Sequence, residues 1–270
     1  MKKEKEWMPQ NKGLREKLYV VIVILLVIVL LISVWQLGRY LIDGWKSRTF
    51  SEDLQEFVIF DDERELKNEV TDQKKEEEPA EQEQAIPAFI DFDNLYEMGE
   101  NAVAWLYCPD TEINYVIAQA DNNDYYLHRL LNGTDASGGT LFMDYRNSDD
   151  LSDWNTVIYG HNMKNGTMFA MLLDYQNPAY YEEHPAMYLY TPEHRYRLDM
   201  IAGYSTSVND LVYSVPASKE DRDAIISHAC KVSSFISNVT VADGDKLVTL
   251  STCAYGDTRY VVVGKLVEEK

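Results

Sequence analysis

The feature that most constrains this chain is the segment Leu18 to Leu37, twenty residues without a charge in which Val, Ile and Leu dominate. A helix of that length is about 30 Å long, which matches the hydrocarbon core of a bilayer. A cleaved signal peptide would have a shorter apolar run and a small-residue cleavage site, and Ser33 to Leu37 is not such a site. The sequence therefore predicts one N-terminal transmembrane helix, residues 18–37, as an uncleaved signal anchor.

The distribution of charge predicts how this anchor is oriented. Residues 1–17 contain six Lys or Arg and three Glu, a net charge of +3, and positively charged flanks stay in the cytoplasm. The rest of the chain contains 19 basic and 42 acidic residues, a net charge of −23. We therefore predict a single-pass type II protein of the cell membrane, with residues 1–17 as cytoplasmic tail and the acidic remainder outside. An acidic exterior argues against nucleic acid as a partner, because binding to phosphates requires a basic surface.

A polar stretch separates the anchor from the folded part of the chain. Residues 51–85 contain fourteen acidic and four basic residues, a composition that cannot bury enough apolar surface to fold alone. We predict an acidic stalk over residues 38–86, in which the apolar cluster from Leu54 to Phe60 forms a short amphipathic helix. The extracellular domain would then span residues 87–270.

Short apolar runs separated by turn residues indicate that this domain is mainly β. Eight runs are typical of strands: 103–107, 113–118, 140–145, 154–159, 187–190, 196–204, 246–251 and 259–267. Apolar residues recur at helical spacing over 91–101, 166–175 and 219–236, and a capping box at Ser218 begins the last of these. Many short strands with few helices predict a closed antiparallel β-barrel of eight strands, with helices inserted in its loops.

Three residues at the ends of predicted strands are typical of thiol acyl transfer. Cys253 ends one strand, Arg259 begins the next after a short turn, and His161 follows the strand 154–159. A cysteine can serve as nucleophile, a histidine can move protons, and a guanidinium suits a carbonyl oxygen that gains negative charge. A free thiol with a pKa near 8.5 is mostly protonated at neutral pH, so a nearby cation is needed to favour the reactive thiolate.

The other cysteines and histidines favour no further chemistry. Three cysteines are too few for a disulfide scaffold, and we interpret Cys108 and Cys230 as structural. No histidine is spaced from another His, Cys or carboxylate as a zinc ligand would be, so no metal site is predicted. Covalent thiol chemistry implies no cofactor. Taken alone, a strand-end cysteine is also commonly a small buried hydrophobe, and a single histidine an ordinary surface residue.

Two motifs of this sequence resemble the sortases, specifically class B. They are Thr249-Leu250-Ser251-Thr252-Cys253 with the downstream Arg259, and Tyr159-Gly160-His161-Asn162-Met163 followed by Gly166-Thr167-Met168-Phe169. The resemblance covers residues 87–267 and implies an eight-stranded β-barrel transpeptidase on the outer face of a Gram-positive membrane. It implies that Cys253 is the nucleophile, His161 the general acid and base, and Arg259 the residue that binds the oxyanion or positions the substrate. Asn123, Leu127 and Ser251 would line the substrate groove.

The resemblance also implies the reaction partners. Cys253 would attack a backbone carbonyl within a C-terminal sorting signal of the Asn-Pro-x-Thr/Ser type, which releases the downstream peptide and leaves a thioacyl enzyme. An amine of a peptidoglycan precursor or of a pilin would then resolve that intermediate. Two alternatives stay open. One is a surface cysteine peptidase with water as acceptor, and the other is a non-enzymatic β-barrel adhesin or receptor in which Cys253 is buried and unreactive.

Overall fold

The computed structural model describes residues 12–60, 86–254 and 256–269, which fall into two compact units that divide between Trp45 and Lys46. Helix α1, Lys12–Gln55, belongs to the first unit up to Trp45 and to the second unit from Lys46 onward. From Glu16 onward, this helix is long and apolar enough to cross a membrane, as judged by length and composition alone. The predicted anchor lies within it, whereas most of the predicted cytoplasmic tail lies outside the described residues.

Ten strands are found in the described part of the chain. They are β1 Val58–Phe60, β2 Pro87–Ile90, β3 Ala102–Tyr107, β4 Asn114–Ala118, β5 Leu141–Met143, β6 Asn155–Tyr159, β7 Ala186–Tyr190, β8 Arg195–Ser207, β9 Lys246–Cys253 and β10 Thr258–Glu269. Strands β1 and β2 form a separate pair, while β3 to β10 close into a barrel in the order β10-β8-β7-β3-β4-β5-β6-β9. The prediction of a mainly β domain built on a closed eight-stranded barrel is confirmed.

Two seams of the barrel differ from the predicted antiparallel arrangement. Strand β4 pairs with β5 in parallel, and β6 pairs with β9 in parallel, where Tyr159 lies opposite Ser251. Parallel pairing requires a long connection that carries the chain back to the same end of the sheet. Residues 119–140 and 160–245 provide these connections, and the alternation of apolar residues within a strand does not reveal the direction of its partner.

The parallel seam between β6 and β9 brings three strand ends to one edge of the barrel. The C-terminal ends of β6 and β9 lie side by side, and the antiparallel β10 begins at that same edge. Every barrel strand contributes a buried apolar side chain to the interior: Leu106, Ile117, Leu141, Ile158, Leu189, Leu198, Leu250 and Val262. Full burial of such a side chain contributes roughly 1.5–3 kcal/mol, so the edge rests on a well-packed core.

Helices and 3₁₀ turns occupy the connections, as predicted. The α-helices are α2 Phe92–Met98, α3 Pro178–Glu183 and α4 Lys219–Val232, and the 3₁₀ segments are Tyr126–His128, Ala170–Gln176 and Leu211–Tyr213. The predicted cap of α4 is present, because the Ser218 hydroxyl accepts a hydrogen bond from the Asp221 N–H at 3.2 Å. Helix α4 ends before residue 236 because Ser233 leaves the helical conformation and its hydroxyl accepts from the Gly203 N–H of β8 at 3.1 Å.

The polar stretch after the anchor is partly folded, which differs from the predicted stalk over 38–86. Leu54 lies near the end of α1 and Val58 lies in β1, and both are buried against apolar residues of the barrel unit such as Trp105. The predicted amphipathic helix at this cluster is therefore the end of α1 followed by a strand. Burial of these side chains moves the start of the folded unit to Lys46. Residues 61–85, the remainder of the predicted stalk, lie outside the described residues.

Candidate active site

Cys253 and Arg259 lie opposite each other at the barrel edge. They are register partners in the antiparallel pair of β9 and β10. Side chains alternate along a strand, and Leu250 points into the barrel core, so Ser251 and Cys253 share the outer face of β9. Directly paired residues present their side chains on the same face of a sheet. The exposed Cys253 thiol and the half-buried Arg259 side chain therefore project to the same side.

His161 reaches the same edge from β6. The last residue of β6 lies opposite Ser251, and the Gly160 N–H continues this ladder by donating to the Ser251 carbonyl oxygen at 3.1 Å. His161 is the next residue, and it lines the same cleft as Cys253. Cys253 thus faces Arg259 across the β9–β10 pair and shares its cleft with His161, which follows β6.

Gly160 allows His161 to follow β6 so closely because it has no side chain. A Cβ atom at this position would lie 2.6 Å from the Phe169 ring and would also overlap Leu141. Both neighbours are fully buried in the core, where they have no room to move aside. Packing therefore explains why a glycine precedes the histidine in this motif.

The ring of His161 is held by the turn Tyr126–His128. Its Nε2 lies 2.7 Å from the Leu127 carbonyl oxygen, and the His128 ring stacks on it with centroids 5.5 Å apart and planes at 17°. A carbonyl oxygen only accepts hydrogen bonds, so Nε2 carries the proton, and the neutral ring presents Nδ1 as its free base. Burial lowers the pKa of His161; the hydrogen bond to Leu127 opposes this effect, and His128 adds to it.

An open cleft of about 470 Å³ runs along this edge of the barrel. All six residues predicted for the site line it: the catalytic candidates His161, Cys253 and Arg259, and the substrate-binding candidates Asn123, Leu127 and Ser251. Its walls also include Phe142, Arg146, Tyr159, Val208, Asp210 and Tyr213. Apolar walls with a few placed polar groups are typical of a site that binds an organic ligand, and here they surround an exposed thiol.

Tyr213 is a cleft residue that the sequence did not indicate. It lies in the 3₁₀ turn between β8 and α4. Its hydroxyl is 2.9 Å from Ser251 Oγ, and its ring stacks on Tyr159 with centroids 6.2 Å apart and planes at 11°. Burial raises the pKa of Tyr213, so the hydroxyl stays protonated and can donate to Ser251. A single tyrosine in a connection has no motif around it, and only the tertiary fold brings it to Ser251.

The buried carboxylate of Asp144 supports the floor of the cleft. It accepts hydrogen bonds from Arg146 Nε and Nη2, both at 2.8 Å, from the Tyr159 hydroxyl at 2.8 Å and from Asn123 Nδ2 at 3.1 Å. Burial raises the pKa of Asp144, but these hydrogen bonds outweigh it and bring the pKa to about 2. Asn123 also accepts from the Tyr145 N–H at 3.0 Å, so both ends of its amide already have partners within the protein.

A second carboxylate, Asp210, fixes the connection that carries Tyr213. It accepts hydrogen bonds from the Val212 N–H at 2.9 Å and from the Thr206 hydroxyl at 2.6 Å, and it lies 3.2 Å from His228 Nε2 on α4. Burial raises the pKa of Asp210, but its hydrogen bonds lower the pKa by more than burial raises it, so the group is ionised at neutral pH. This wall of the cleft is therefore attached both to β8 and to α4.

The other two cysteines lie in different surroundings from Cys253. Cys108 is buried, and burial raises its pKa to about 12. Cys230 is exposed on α4, and it is not among the residues that line the cleft. In the part of the chain that the structure describes, no group of three His, Cys, Asp or Glu side chains could hold a metal ion.

Known proteins are similar to this chain in sequence and in fold. The model of the sortase domain matches residues 106–267, more than half of the chain. This chain belongs to the sortase family. Two similar proteins are named sortase B, one from Listeria monocytogenes and one from Staphylococcus aureus. The first is 38% identical over 180 residues, which cover 64% of this sortase and 73% of that protein. The second is 30% identical over 182 residues, which cover 66% and 75%.

A solved structure extends the similarity to three dimensions. Sortase B from Bacillus anthracis in complex with AAEK1 has a TM-score of 0.69 and 30% sequence identity, and the match covers 85% of this sortase and 100% of that chain. The predicted membership in class B is confirmed by these relatives. Sortases are cysteine transpeptidases associated with the cell surface, and this sortase is an enzyme of that general kind.

Proposed function

We propose that this sortase is a membrane-anchored transpeptidase in which Cys253 is the nucleophile, His161 the general acid and base, and Arg259 the oxyanion ligand. The observation that carries the proposal is one cleft at the barrel edge, lined by an exposed cysteine, by the arginine paired with it across β9 and β10, and by the histidine that follows β6. Each side chain then has the chemical role for which its type and position suit it.

In the first step, the Cys253 sulfur attacks the carbonyl carbon of the scissile peptide bond. The thiol proton passes to Nδ1 of His161, the ring nitrogen that the Leu127 hydrogen bond leaves free. The carbonyl oxygen gains negative charge, which the permanently charged Arg259 guanidinium stabilises. The carbon–nitrogen bond then breaks, His161 gives the proton to the leaving amine, and a thioester remains on Cys253.

In the second step, an incoming amine attacks the thioester carbon and transfers a proton to His161. Arg259 again stabilises the oxyanion until the carbon–sulfur bond breaks. Cys253 recovers its proton, and the product contains a new amide bond. Water in place of the amine would give hydrolysis, so the acceptor decides between transpeptidation and the alternative peptidase reaction.

We infer that the acyl donor is a surface-protein sorting signal of the Asn-Pro-x-Thr/Ser type and that the acceptor is an amine of a peptidoglycan precursor or of a pilin. Support comes from a similar solved structure, a Staphylococcus aureus sortase B–substrate complex, with a TM-score of 0.69 and 26% identity over 85% of this sortase and 100% of that chain. Leu127 and Ser251 would offer the peptide an apolar wall and a hydroxyl group. The apolar helix within residues 16–55 would anchor the enzyme in type II orientation.

The experiment that tests this function is intact mass spectrometry of the full chain in detergent with a series of Asn-Pro-x-Thr peptides. Each peptide is incubated with and without triglycine or a diaminopimelate-containing amine. We expect an acyl adduct that is absent in Cys253→Ala and present in Cys230→Ala, the matched change at another exposed cysteine. Ligated product with amine would establish transpeptidation, and hydrolysis alone would favour the peptidase.

Alkylation of Cys253 distinguishes the two enzyme hypotheses, transpeptidase and peptidase, from the adhesin or receptor hypothesis. Iodoacetamide should label Cys253 well before the buried Cys108, and a bound sorting peptide should protect Cys253 but not Cys230. A chain that forms no adduct with any peptide and whose Cys253 resists alkylation would support the binding-protein alternative.

A further inference from the structure

We propose that His128 is a positioning residue for His161: its ring supports the face of the His161 ring, and its charge, when it is protonated, opposes protonation of His161. The inference deepens the proposed function, because it rests on His161 as the acid and base of the reaction. The coupling between the two rings can nevertheless be measured without turnover. An experiment can therefore contradict this inference without contradicting the proposed function, and the reverse.

Consecutive residues of one turn hold the His161 ring from two directions. The Leu127 carbonyl oxygen lies in hydrogen-bond contact with Nε2 at 2.7 Å, at the edge of the ring. The His128 ring lies against its face, with centroids 5.5 Å apart and an angle of 17° between the planes. The edge contact selects the nitrogen that carries the proton, and the face contact restricts rotation of the ring. Together they keep Nδ1 directed away from the turn.

The position of the turn does not depend on the His128 side chain. The Thr140 N–H donates to the Tyr126 carbonyl oxygen at 3.1 Å, and the Ala136 N–H donates to the His128 carbonyl oxygen at 3.0 Å. Gly139, with φ of +59°, approaches the turn so closely that a Cβ there would lie 2.6 Å from the Leu127 carbonyl oxygen. A substitution of the exposed His128 side chain should therefore leave the Leu127 hydrogen bond in place.

A positive charge on one of these rings opposes a positive charge on the other, because like charges repel at this separation. Burial lowers the pKa of His161, and the neighbouring His128 lowers it further. His128 is exposed, so solvent weakens its effect. A positive charge on His128 therefore disfavours the imidazolium form of His161.

Other charged groups surround this pair but stay unchanged when His128 is replaced. Cys253 and Arg259 line the cleft beside His161. Arg129, the next residue after His128, lies 3.4 Å from Asp135 and 4.7 Å from the centre of the Tyr125 ring. A change at His128 thus removes one charge from the surroundings of His161 and leaves the rest.

The consequence for the reaction is a wider pH range in which Nδ1 of His161 is available as a base. A positive charge on His128 delays the protonation of its neighbour as the pH falls. Without His128, the imidazolium form of His161 would appear at a higher pH.

The test is an NMR titration of the full chain in detergent with histidine rings labelled with ¹³C, each signal assigned by single substitution. We expect the pKa of His161 to rise in His128→Gln and in His128→Phe, and to lie below the wild-type value in His128→Arg, which is charged at every pH. The control His194→Gln changes a histidine outside the cleft and should leave the pKa of His161 unchanged.

An unchanged His161 pKa in either uncharged variant would overturn the proposal. The acid limb of kcat/KM for peptide transfer should follow the NMR value in each variant. Ring coupling in a chain that transfers no peptide would uphold this inference and would contradict the proposed function instead.

Discussion

At the scale of single residues, Asp144 links the charge of the cleft floor to the stability of the domain. Its pKa is about 2 in the folded protein, compared with about 3.9 for an unfolded aspartate. A depressed carboxyl pKa stabilises the fold above the unfolded pKa, and this contribution is lost as the pH falls through the folded value. The side chain should therefore contribute about 2 kcal/mol at neutral pH, lost mainly between pH 4 and pH 2.

We expect Asp144→Asn to lower the free energy of unfolding at pH 7 by at least about 2 kcal/mol, because Arg146 loses the charge that it binds. Urea denaturation at pH 7, 4 and 2 measures the effect. The variant should also lose less stability than the wild type between pH 4 and pH 2. Asp121→Asn, at an exposed position, is the matched control. Parallel loss in the wild type and in Asp144→Asn would contradict the assignment.

The proposed role of Arg259 also depends on a single side chain, because its planar guanidinium group is the part that would bind the oxyanion. We expect Arg259→Lys to reduce the acylation rate by roughly 10²–10³-fold, since the ammonium group lacks the forked geometry that suits the oxyanion. The fold should survive, because the half-buried side chain lies at the start of β10. Single-turnover mass spectrometry gives the rate, and thermal unfolding gives the stability.

Arg197→Lys in β8 is a control of the same chemistry away from the cleft, and it should acylate at the wild-type rate. Near-normal acylation by Arg259→Lys would mean that a positive charge alone is sufficient at this position.

At the scale of elements, the connection between β8 and α4 forms one wall of the cleft. We expect Asp210→Asn to raise KM for the sorting peptide about fivefold with a smaller change in kcat, because the loss of roughly 1 kcal/mol of hydrogen bonding loosens the wall that carries Tyr213. Steady-state kinetics over a range of peptide concentrations gives both constants. A loss in kcat alone would assign Asp210 a part in the chemical step instead.

The strands themselves were predictable from sequence, whereas their pairing was not. Short apolar runs bounded by turn residues identified all eight barrel strands, because that pattern is local to each strand. The parallel direction of β6 beside β9 depends on a partner far along the chain, and no local signal encodes it. The strand Val58–Phe60 was missed for a similar reason, because it pairs with β2 across residues 61–85.

The residues of the candidate site were likewise only partly predictable from sequence. His161, Cys253 and Arg259 could be found because each lies in a motif with a strand end beside it. Asp144 and Tyr213 could not, since each acts through contacts with residues that are distant in sequence, such as Tyr159 and Ser251. The engaged amide of Asn123 likewise became apparent only from its partners in space.

At the scale of the whole molecule, the folded unit begins at Lys46, before the first barrel strand. We expect a chain that begins at residue 87 to be less stable than one that begins at residue 46 by about 4 kcal/mol, because Leu54 and Val58 no longer cover the barrel. For a domain of this size, the melting temperature should fall by about 10 °C.

Differential scanning calorimetry of the two chains measures this difference. Leu54→Ala in the longer chain should produce part of the same loss, which connects the effect to packing and not to chain length. Equal melting temperatures would mean that residues 46–60 add no stability.

The parallel seam between β6 and β9 also determines when a folding chain acquires its activity. The seam joins segments about 90 residues apart, and contacts between distant segments form late because loop closure costs entropy before pairing gains energy. His161 follows β6 on one side of the seam, and Cys253 ends β9 on the other. A chain that has formed only its local hairpins therefore carries a thiol without an imidazole beside it. If the proposed roles of Cys253 and His161 hold, catalytic competence arises with the final closure of the barrel, and immature chains have no acyl-transfer centre with which to modify other proteins.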